Sequence, residues 1–522
     1  MKFSIIIPVT ERDNKFLKRC VLSVQEQDYD NKEIVVVGYK NKKAEKVCED
    51  LGVPYYEAKA DTAPVKRNLG FDNSDGDIVF FFDVDCILLA GILGLVKDAF
   101  EDNPDCSFIY GAYRFNTPDM RVYPSMQFDP YLLETMNYIS TMSPMKREVF
   151  PRFNEELEYF QDWDLFLNIV KSGHKGKYFE DVLFNTEDPG EDSISGRSKV
   201  SFIDRLKHIR KINGIKEKDI CVVSLGAPYQ SLQRAKLLEA DYMGRHQNSN
   251  MCQIPSMFEH EYKMIYVMGF YPLAINDHAN IFANAPKDCL RVVQWIGTDV
   301  WQLRTRFNWE QIKFIRDKVL SHIDIHLCNS EFLEKELAEL GIEAERIYMP
   351  LIDAPKPMPY PEKFTIGVYY SDSNPMHNEE FLLDIAKSMP DINFKFFGGS
   401  KKSVENNIEY MEWVNIKEVI RQCSINIRIS VHDGYPHTPI QFLMAGREVI
   451  TNFDMPYVHY MPMSISEQSY GKDKVELIKK IREVKKNFKG KPNKKALKYY
   501  GEITDPQKYK TLIHGLLKRG KK

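Results

Sequence analysis

The chain opens on an apolar run, Phe3-Ser4-Ile5-Ile6-Ile7-Pro8, and continues with apolar side chains at helical spacing, Phe16, Cys20, Val21 and Val24. The first pattern predicts a strand and the second a helix over Lys15 to Gln25. The alternation persists. Glu33 to Val37 reads as a strand, Lys42 to Leu51 as a helix, Pro54-Tyr55-Tyr56 as a short extended piece, and Ala63 to Phe71 as a helix. Ile78 to Phe82 then reads as a buried strand closed by Asp83. This βαβαβαβ order implies a mostly parallel sheet with its loops gathered along one edge.

Residues 198–218, with Arg205, Lys207, Arg210, Lys211, Lys216 and Lys218 and little apolar periodicity beyond one short helix, read as a connector. A second α/β unit follows. Ile220 to Leu225, Met264 to Met268, Arg291 to Trp295 and Ile323 to Cys328 are its strands, and Asn329-Ser330 is an N-cap for the helix Glu331 to Leu340. Beyond the proline-rich stretch Pro350 to Pro361, a third unit has strands at Phe364 to Val368, Asn393 to Phe397, Ile425 to Ile429 and Glu448 to Thr451. Its helices are predicted at Glu379 to Ser388 and Pro439 to Ala445. The expected fold class is α/β throughout. The expected layout is a first domain over 1–200, a linker over 201–218, Rossmann-like domains over 219–355 and 356–487, and a basic tail over 488–522.

A chain of 522 residues with a net charge of −3 has room for two or three cores and lacks the basic bias that general nucleic-acid binding requires. Its nine cysteines include no Cys-x-x-Cys pair, which points to a reducing, cytoplasmic setting. The start has no signal-peptide pattern, and the apolar stretch Ile87 to Val96 is about half of the roughly 20 residues a membrane span needs. Only the end is biased: lysines dominate from Lys472 to Lys522, which fits either a solvated helix face or peripheral contact with an anionic membrane.

The chemistry concentrates in two acidic groups. Asp83 and Asp85 close the strand Ile78 to Phe82, where open α/β sheets bind ligands. Residues i and i+2 on an extended chain share a side, so both carboxylates are able to face one hard cation, Mg²⁺ or Mn²⁺, which in turn implies a diphosphate partner. The bland reading is a polar turn after a strand. Farther on, Gln161-Asp162-Trp163-Asp164 opens an amphipathic helix, where an aspartate serves either as a cap or as a base.

Four segments in order, Ser4-Ile5-Ile6-Ile7-Pro8-Val9, Val65-Lys66-Arg67-Asn68-Leu69-Gly70, Gly76-Asp77-Ile78 to Asp85, and Gln161-Asp162-Trp163-Asp164, resemble the family-2 glycosyltransferases of the GT-A fold. The resemblance implies that Pro8, Val9 and Thr10 line a nucleotide pocket with Arg67 beside it, and that Asp83 and Asp85 hold the nucleotide through a metal. It makes Asp162 the base of an inverting transfer. The expected partners are a nucleotide-diphosphate sugar and a glycan or glycolipid acceptor, the expected cofactor Mn²⁺ or Mg²⁺, with no organic cofactor. Three positions depart from the family pattern. Val37-Gly38-Tyr39-Lys40 offers no acid at the end of the second strand, Gln161 stands for Glu, and Cys86 stands where another Asp is common.

Residues 219 to about 487 resemble GT-B glycosyltransferases through Trp295-Ile296-Gly297-Thr298-Asp299, Asn329-Ser330-Glu331, Phe396-Phe397-Gly398-Gly399 and the run His432 to Gln441 leading to Ala445-Gly446-Arg447. Asp433 and Gln441 take the places of a glutamate pair. The loop Gly434 to Thr438, including His437, precedes a helix whose amides and dipole suit a diphosphate without metal. Asp299 is the candidate base of this half. The resulting expectation is a two-module glycosyltransferase, with a catalytic first module and an acceptor-binding second half as the alternative. A nucleotidyltransferase would share the acidic pair, yet Pro8-Val9-Thr10-Glu11-Arg12 lacks the glycines of its phosphate loop.

Overall fold

The computed structural model describes all residues except 124, 188–199, 201, 245–261, 373, 374, 413, 464, 467 and 520–522. Contacts divide the chain into two units, residues 1–219 with 241–261, and residues 220–240 with 262–522.

In the first unit the strands are β1 (Phe3–Pro8), β2 (Lys32–Gly38), β3 (Tyr55–Glu57), β4 (Ile78–Phe81), β5 (Cys86–Leu88), β6 (Phe108–Phe115), β7 (Val122–Tyr123), β8 (Met145–Lys146) and β9 (Gly176–Thr186). They form one mixed sheet in the order β3-β2-β1-β4-β8-β6-β9-β5, with β7 beside β6. Its first four strands are parallel, as the alternating pattern requires, while β8 runs antiparallel to both β4 and β6. The helices are α1 (Asn14–Gln25), α2 (Lys42–Leu51), α3 (Ala63–Asp72), α4 (Ile92–Asp102), α5 (Pro130–Leu133), α6 (Gln161–Lys171) and α7 (Phe202–Ile212). Strand order reverses about β1, so the carboxyl ends of β1 and β4 lie together, with Ile6 opposite Phe81. Ligands bind at such switch points.

Glycine lets α3 reach that edge. A Cβ on Gly70 would stand 2.3 Å from Ile6 Cγ2 and 3.3 Å from Val37 Cγ2, so only the bare backbone lies this close to β1 and β2. The close approach buries Lys66 and Arg67 at the end of the sheet, with 1% and 6% of their surfaces exposed. The stretch Ile87 to Val96 is divided between β5 and α4, and among the described residues no helix is long and apolar enough to cross a membrane.

The stretch 201–218 holds the one short helix its pattern allowed: α7 occupies most of it, and Asn213 donates to buried Asp164 at 2.7 Å. The expectation about the end of the chain is corrected. The presumed tail is folded as well. Helices Lys494–Ile503 and Pro506–Arg519 bury Tyr500, Tyr509, Ile513 and Leu516, and the Tyr509 and Tyr266 hydroxyls are 2.6 Å apart. The physical reason is snorkelling, in which lysine stems flank an apolar stripe while their charges stay in water. Lys521 and Lys522 lie outside the described residues.

The second unit holds two sheets of Rossmann-like, mostly parallel strands. In the first, Ile220–Ser224, Met264–Met268, Leu290–Trp295, Ile325–Cys328 and Glu345–Arg346 are parallel neighbours in that order. Ser330 caps the helix Glu331–Glu339 by accepting from Leu333 N at 3.2 Å. In the second sheet, Thr365–Tyr369 lies between Asn393–Phe397 and Ile425–Arg428, again a point where the order reverses. The eight cysteines among the described residues are all buried.

Candidate active site

After β4 the chain makes a turn at Val84 and Asp85, Cys86 N donating to Asp83 O at 3.0 Å, which buries Val84 and Cys86 at 5% and 0% exposed and leaves Asp83 and Asp85 partly exposed. The two carboxylates are close enough for the charge of Asp83 to act on Asp85. Arg67, projecting from α3, donates from Nη2 to Asp83 Oδ1 at 2.7 Å and from Nη1 to Gln161 Oε1 at 3.4 Å. One guanidinium thus joins the end of β4 to the start of α6, Arg67 and Gln161 being 94 residues apart in sequence. Burial, and then the charge of Asp83, push Asp85 up to about 6.

This arrangement fits a divalent cation. Two neighbouring acids, one of them held above the usual carboxylate range by burial and then by the charge of the other, are relieved by a positive charge between them. Among the described residues no group of three or more acids, histidines or cysteines is placed to hold a metal ion. Cys86 is turned away into the core. Its thiol, 3.7 Å from Asp85 Oδ1, is pushed far up by burial and by the two carboxylates, so it is no thiolate ligand.

Asp162 occupies the first turn of α6, behind a strained turn: Phe160 takes a left-handed φ of 56°. Trp163 fixes that turn, donating from Nε1 to Leu133 O at 2.6 Å with 1% of its surface exposed. Asp162 Oδ1 accepts only its neighbour's amide, Trp163 N, at 2.9 Å, and the side chain of Asn137 also hydrogen-bonds the carboxylate. Burial raises its pKa, against the lowering effect of Asn137, Trp163 and Arg67. Tyr113 and Tyr123, whose rings stack at 4.8 Å, are close enough to feel its charge. A cavity of about 520 Å³ opens beside Gln161, lined also by Asp61, Thr62, Glu155, Glu158 and Tyr159.

The remaining predicted residues contribute unequally. Pro8 and Val9 are buried, and Val9 offers backbone only, its carbonyl accepting from Lys66 Nζ at 3.1 Å. Their side chains therefore do not line an open pocket. Thr10 is partly exposed, and its hydroxyl bonds Asp13.

Residues 4–156 match the family described as glycosyl transferase family 2. The first unit carries a family 2 glycosyltransferase domain. The glycosyltransferase GlyA of Streptococcus pneumoniae serotype 4 is 25% identical over 219 residues, 40% of this chain and 30% of that protein. The chain thus spans about 30% of the length of this relative. Two solved structures are similar at low identity. HepE of Anabaena, in complex with UDP and glucose, has 12% identity and a TM-score of 0.43, over 58% of this chain and 100% of its own. Sucrose-phosphate synthase of Thermosynechococcus elongatus has 11% identity and a TM-score of 0.47, over 58% of this chain and 99% of its own.

Beyond the family 2 domain, the second unit has a cavity of about 260 Å³ outside the carboxyl ends of Thr365–Tyr369 and Ile425–Arg428, lined by Asp433, Gly434, His437 and Thr438. Asp433 is paired with Arg428, which donates from Nη2 at 2.6 Å. Gln441 lies apart from it, lining a different cavity with Arg234. Asp299 is a correction. It is 0% exposed, and its two oxygens accept from the amides of Phe270, Ile296, Gly297 and Val300 at 2.8–3.2 Å. A carboxylate so placed braces the turn after its strand and cannot reach a substrate hydroxyl.

Sequence reasoning missed Asn137, Tyr113 and Tyr123. Their segments carry no helical or alternating pattern that would have aimed them at Asp162.

Proposed function

We propose that the family 2 domain transfers a sugar from a nucleotide-diphosphate donor to a glycan hydroxyl with inversion of configuration. Asp162 accepts the proton of the attacking hydroxyl, for which its raised pKa makes it a stronger base than an ordinary surface aspartate. Asn137 and the Trp163 amide hold that carboxylate in one orientation. Arg67 keeps Asp83 and Gln161 in register, so donor and acceptor elements meet at a fixed distance. Asp83 and Asp85 are the residues that would hold a divalent cation, whose chemistry when bound is to neutralise charge on a departing diphosphate. The observation that carries the reading is the Arg67 bridge, because it brings two acidic motifs remote in sequence to one point of the sheet edge.

We infer for the second unit an acceptor-binding role. Its candidate base, Asp299, is consumed by four backbone amides, and Asp433 is tied to Arg428, which leaves a cavity suited to holding a glycan more than to activating one. Its basic C-terminal helices leave Lys494, Lys495 and Lys498 exposed, so an acceptor presented at an anionic membrane surface is compatible with them.

Donor hydrolysis across a panel of sugar nucleotides, with and without Mn²⁺, tests the proposal. The wild type should hydrolyse at least one donor in a cation-dependent way, and Asp85→Ala should remove the dependence. Turnover indifferent to both cation and substitution would refute it.

A further inference from the structure

Aromatic rings run in a column from the end of β4 to the β6–β7 hairpin. Phe82, next to Asp83, meets Phe184 edge-on at 5.9 Å and 90°. Phe184 stacks on Tyr113 at 5.2 Å with the planes 8° apart, and Tyr113 stacks on Tyr123 at 4.8 Å and 18°. The register of the hairpin dictates the last contact, since it sets Tyr113 directly opposite Tyr123. Phe82 and Phe184 are 0% and 1% exposed, which roots the column in the core. Tyr113 has a ring against each face, whereas Tyr123 ends the column and is partly exposed. A ring held by such packing is preorganised, because turning it would displace its neighbours.

The column ends where α6 begins. Lys171 closes α6 shortly before Gly176 opens β9, and Gly176 pairs with Phe108 at the start of β6. The end of α6 therefore lies by the start of β6, and Phe166 of α6 packs on Phe108 at 5.0 Å. Asp162, in the first turn of α6, lies toward the other end of β6, where Tyr113 stands. Burial raises both phenols, and the charge of Asp162 acts on each of them.

The geometry points to Tyr123 as the platform for the acceptor sugar of the family 2 domain: the ring face turned away from Tyr113 takes the C–H face of a pyranose, and Asp162 takes the proton of one of its hydroxyls. The inference rests on Asp162 as the base of that domain and names the acceptor class, a pyranosyl glycan. An aromatic face is electron-rich, and the C–H bonds along one side of a pyranose carry small positive charges. Stacking thus adds electrostatic attraction to the removal of two apolar surfaces from water. Equatorial hydroxyls radiate in the plane of the sugar, so a ring lying flat on Tyr123 directs a hydroxyl sideways to a base beside the column. A serine or lipid hydroxyl offers no flat face and gains nothing from this platform.

Saturation-transfer NMR on the full chain, with the methyl β-pyranosides of glucose, galactose and N-acetylglucosamine as probes, tests the inference. At least one should bind at millimolar concentration, with saturation strongest on the C–H protons of one ring face. Tyr123→Leu, which keeps the bulk without the ring, should weaken that binding roughly tenfold, the worth of one aromatic contact, and Tyr123→Phe should restore it. In transfer assays Tyr123→Leu should raise the KM for the acceptor with little change in kcat. If Tyr123→Leu does not fold, Tyr123→Trp decides: its larger face should bind the same glycoside more tightly, and equal or weaker binding overturns the platform. Binding of none of the three glycosides, or undiminished binding by Tyr123→Leu, overturns it as well. Glycoside binding that depends on Tyr123, in a chain whose Asp162→Asn variant transfers as fast as the wild type, would uphold the platform and remove the base beside it, so the two readings fail separately.

Discussion

Replacing Asp162 by Asn isolates the proton transfer from the architecture around it. The amide keeps an oxygen that still accepts from Trp163 N, now at 2.9 Å, and it matches the carboxylate in volume, so α6 should start where it does in the wild type. What disappears is the basic oxygen. A positioned general base contributes about 10²- to 10⁴-fold, equivalent to about 3–5 kcal/mol of barrier. Transfer to a glycan acceptor, measured at saturating donor and Mn²⁺, should fall by that factor with little change in donor KM. Two further signs follow from the raised pKa. Transfer needs the ionised form, so wild-type rate should decline as pH falls through a value above the ordinary carboxylate range of about 4, and this acid limb should vanish in Asp162→Asn. Stability runs the opposite way. A carboxyl whose folded pKa is raised contributes stability that is present below its unfolded pKa and lost as pH rises through the folded value, so the variant should unfold at higher denaturant than the wild type at neutral pH. A less than tenfold loss of transfer, or an acid limb that survives the substitution, would refute Asp162 as base.

Other residues give separable outcomes. Arg67→Lys cannot reach Asp83 and Gln161 together and should lower donor hydrolysis at saturating Mn²⁺ by at least about tenfold, the worth of one charged hydrogen bond. Gly70→Ala places a Cβ 2.3 Å from Ile6 Cγ2 and should cost about 1–3 kcal/mol in urea unfolding of the first unit. Asp299→Ala strips four buried amides of their acceptor; it should destabilise the second unit by about 3 kcal/mol or more while leaving the cation-dependent hydrolysis of the first unit intact. Loss of hydrolysis in that variant, with the first unit folded by circular dichroism, would restore a catalytic part for the second unit.

Much of the α/β framework was legible because buried parallel strands announce themselves as short apolar runs and their helices by spacing and caps. The strand β1, the helix α2 and the Ser330 cap lie within a residue or two of where the pattern puts them. The antiparallel part was not legible: β8 has two residues, and β9 carries Lys177, Glu180 and Asp181 along its length, which hides any alternation. The end of the chain was misread for a related reason. Tyr509, Ile513 and Leu516 follow helical spacing and are buried, but the lysines around them dominate the composition. At the site, the segment after β4 is the polar turn that the bland reading expected, Cys86 N donating to Asp83 O, so strand spacing does not decide where Asp83 and Asp85 point. Arg67 entered through family resemblance, and Asn137 was invisible because its role depends on where an irregular segment returns to α6.

Aspartate at a strand end or in the first turn of a helix is a weak signal, and the partners of each one decide what it does. Asp299 accepts four amides, and Asp164 is 6% exposed with Asn213 as its donor, so both serve the backbone and the packing. Asp433 has spent one oxygen on Arg428. Asp162 accepts from backbone amides and from the side chain of Asn137, and Asp85, unlike Asp83, makes no carboxylate ion pair among the described residues, Arg19 donating to its backbone carbonyl instead. Desolvation raises Asp162, Asp85 and Asp299 alike, so a shifted pKa does not separate base from brace. Unspent acceptor capacity does, because only a carboxylate with a lone pair left over is able to meet a proton or a metal from the substrate side.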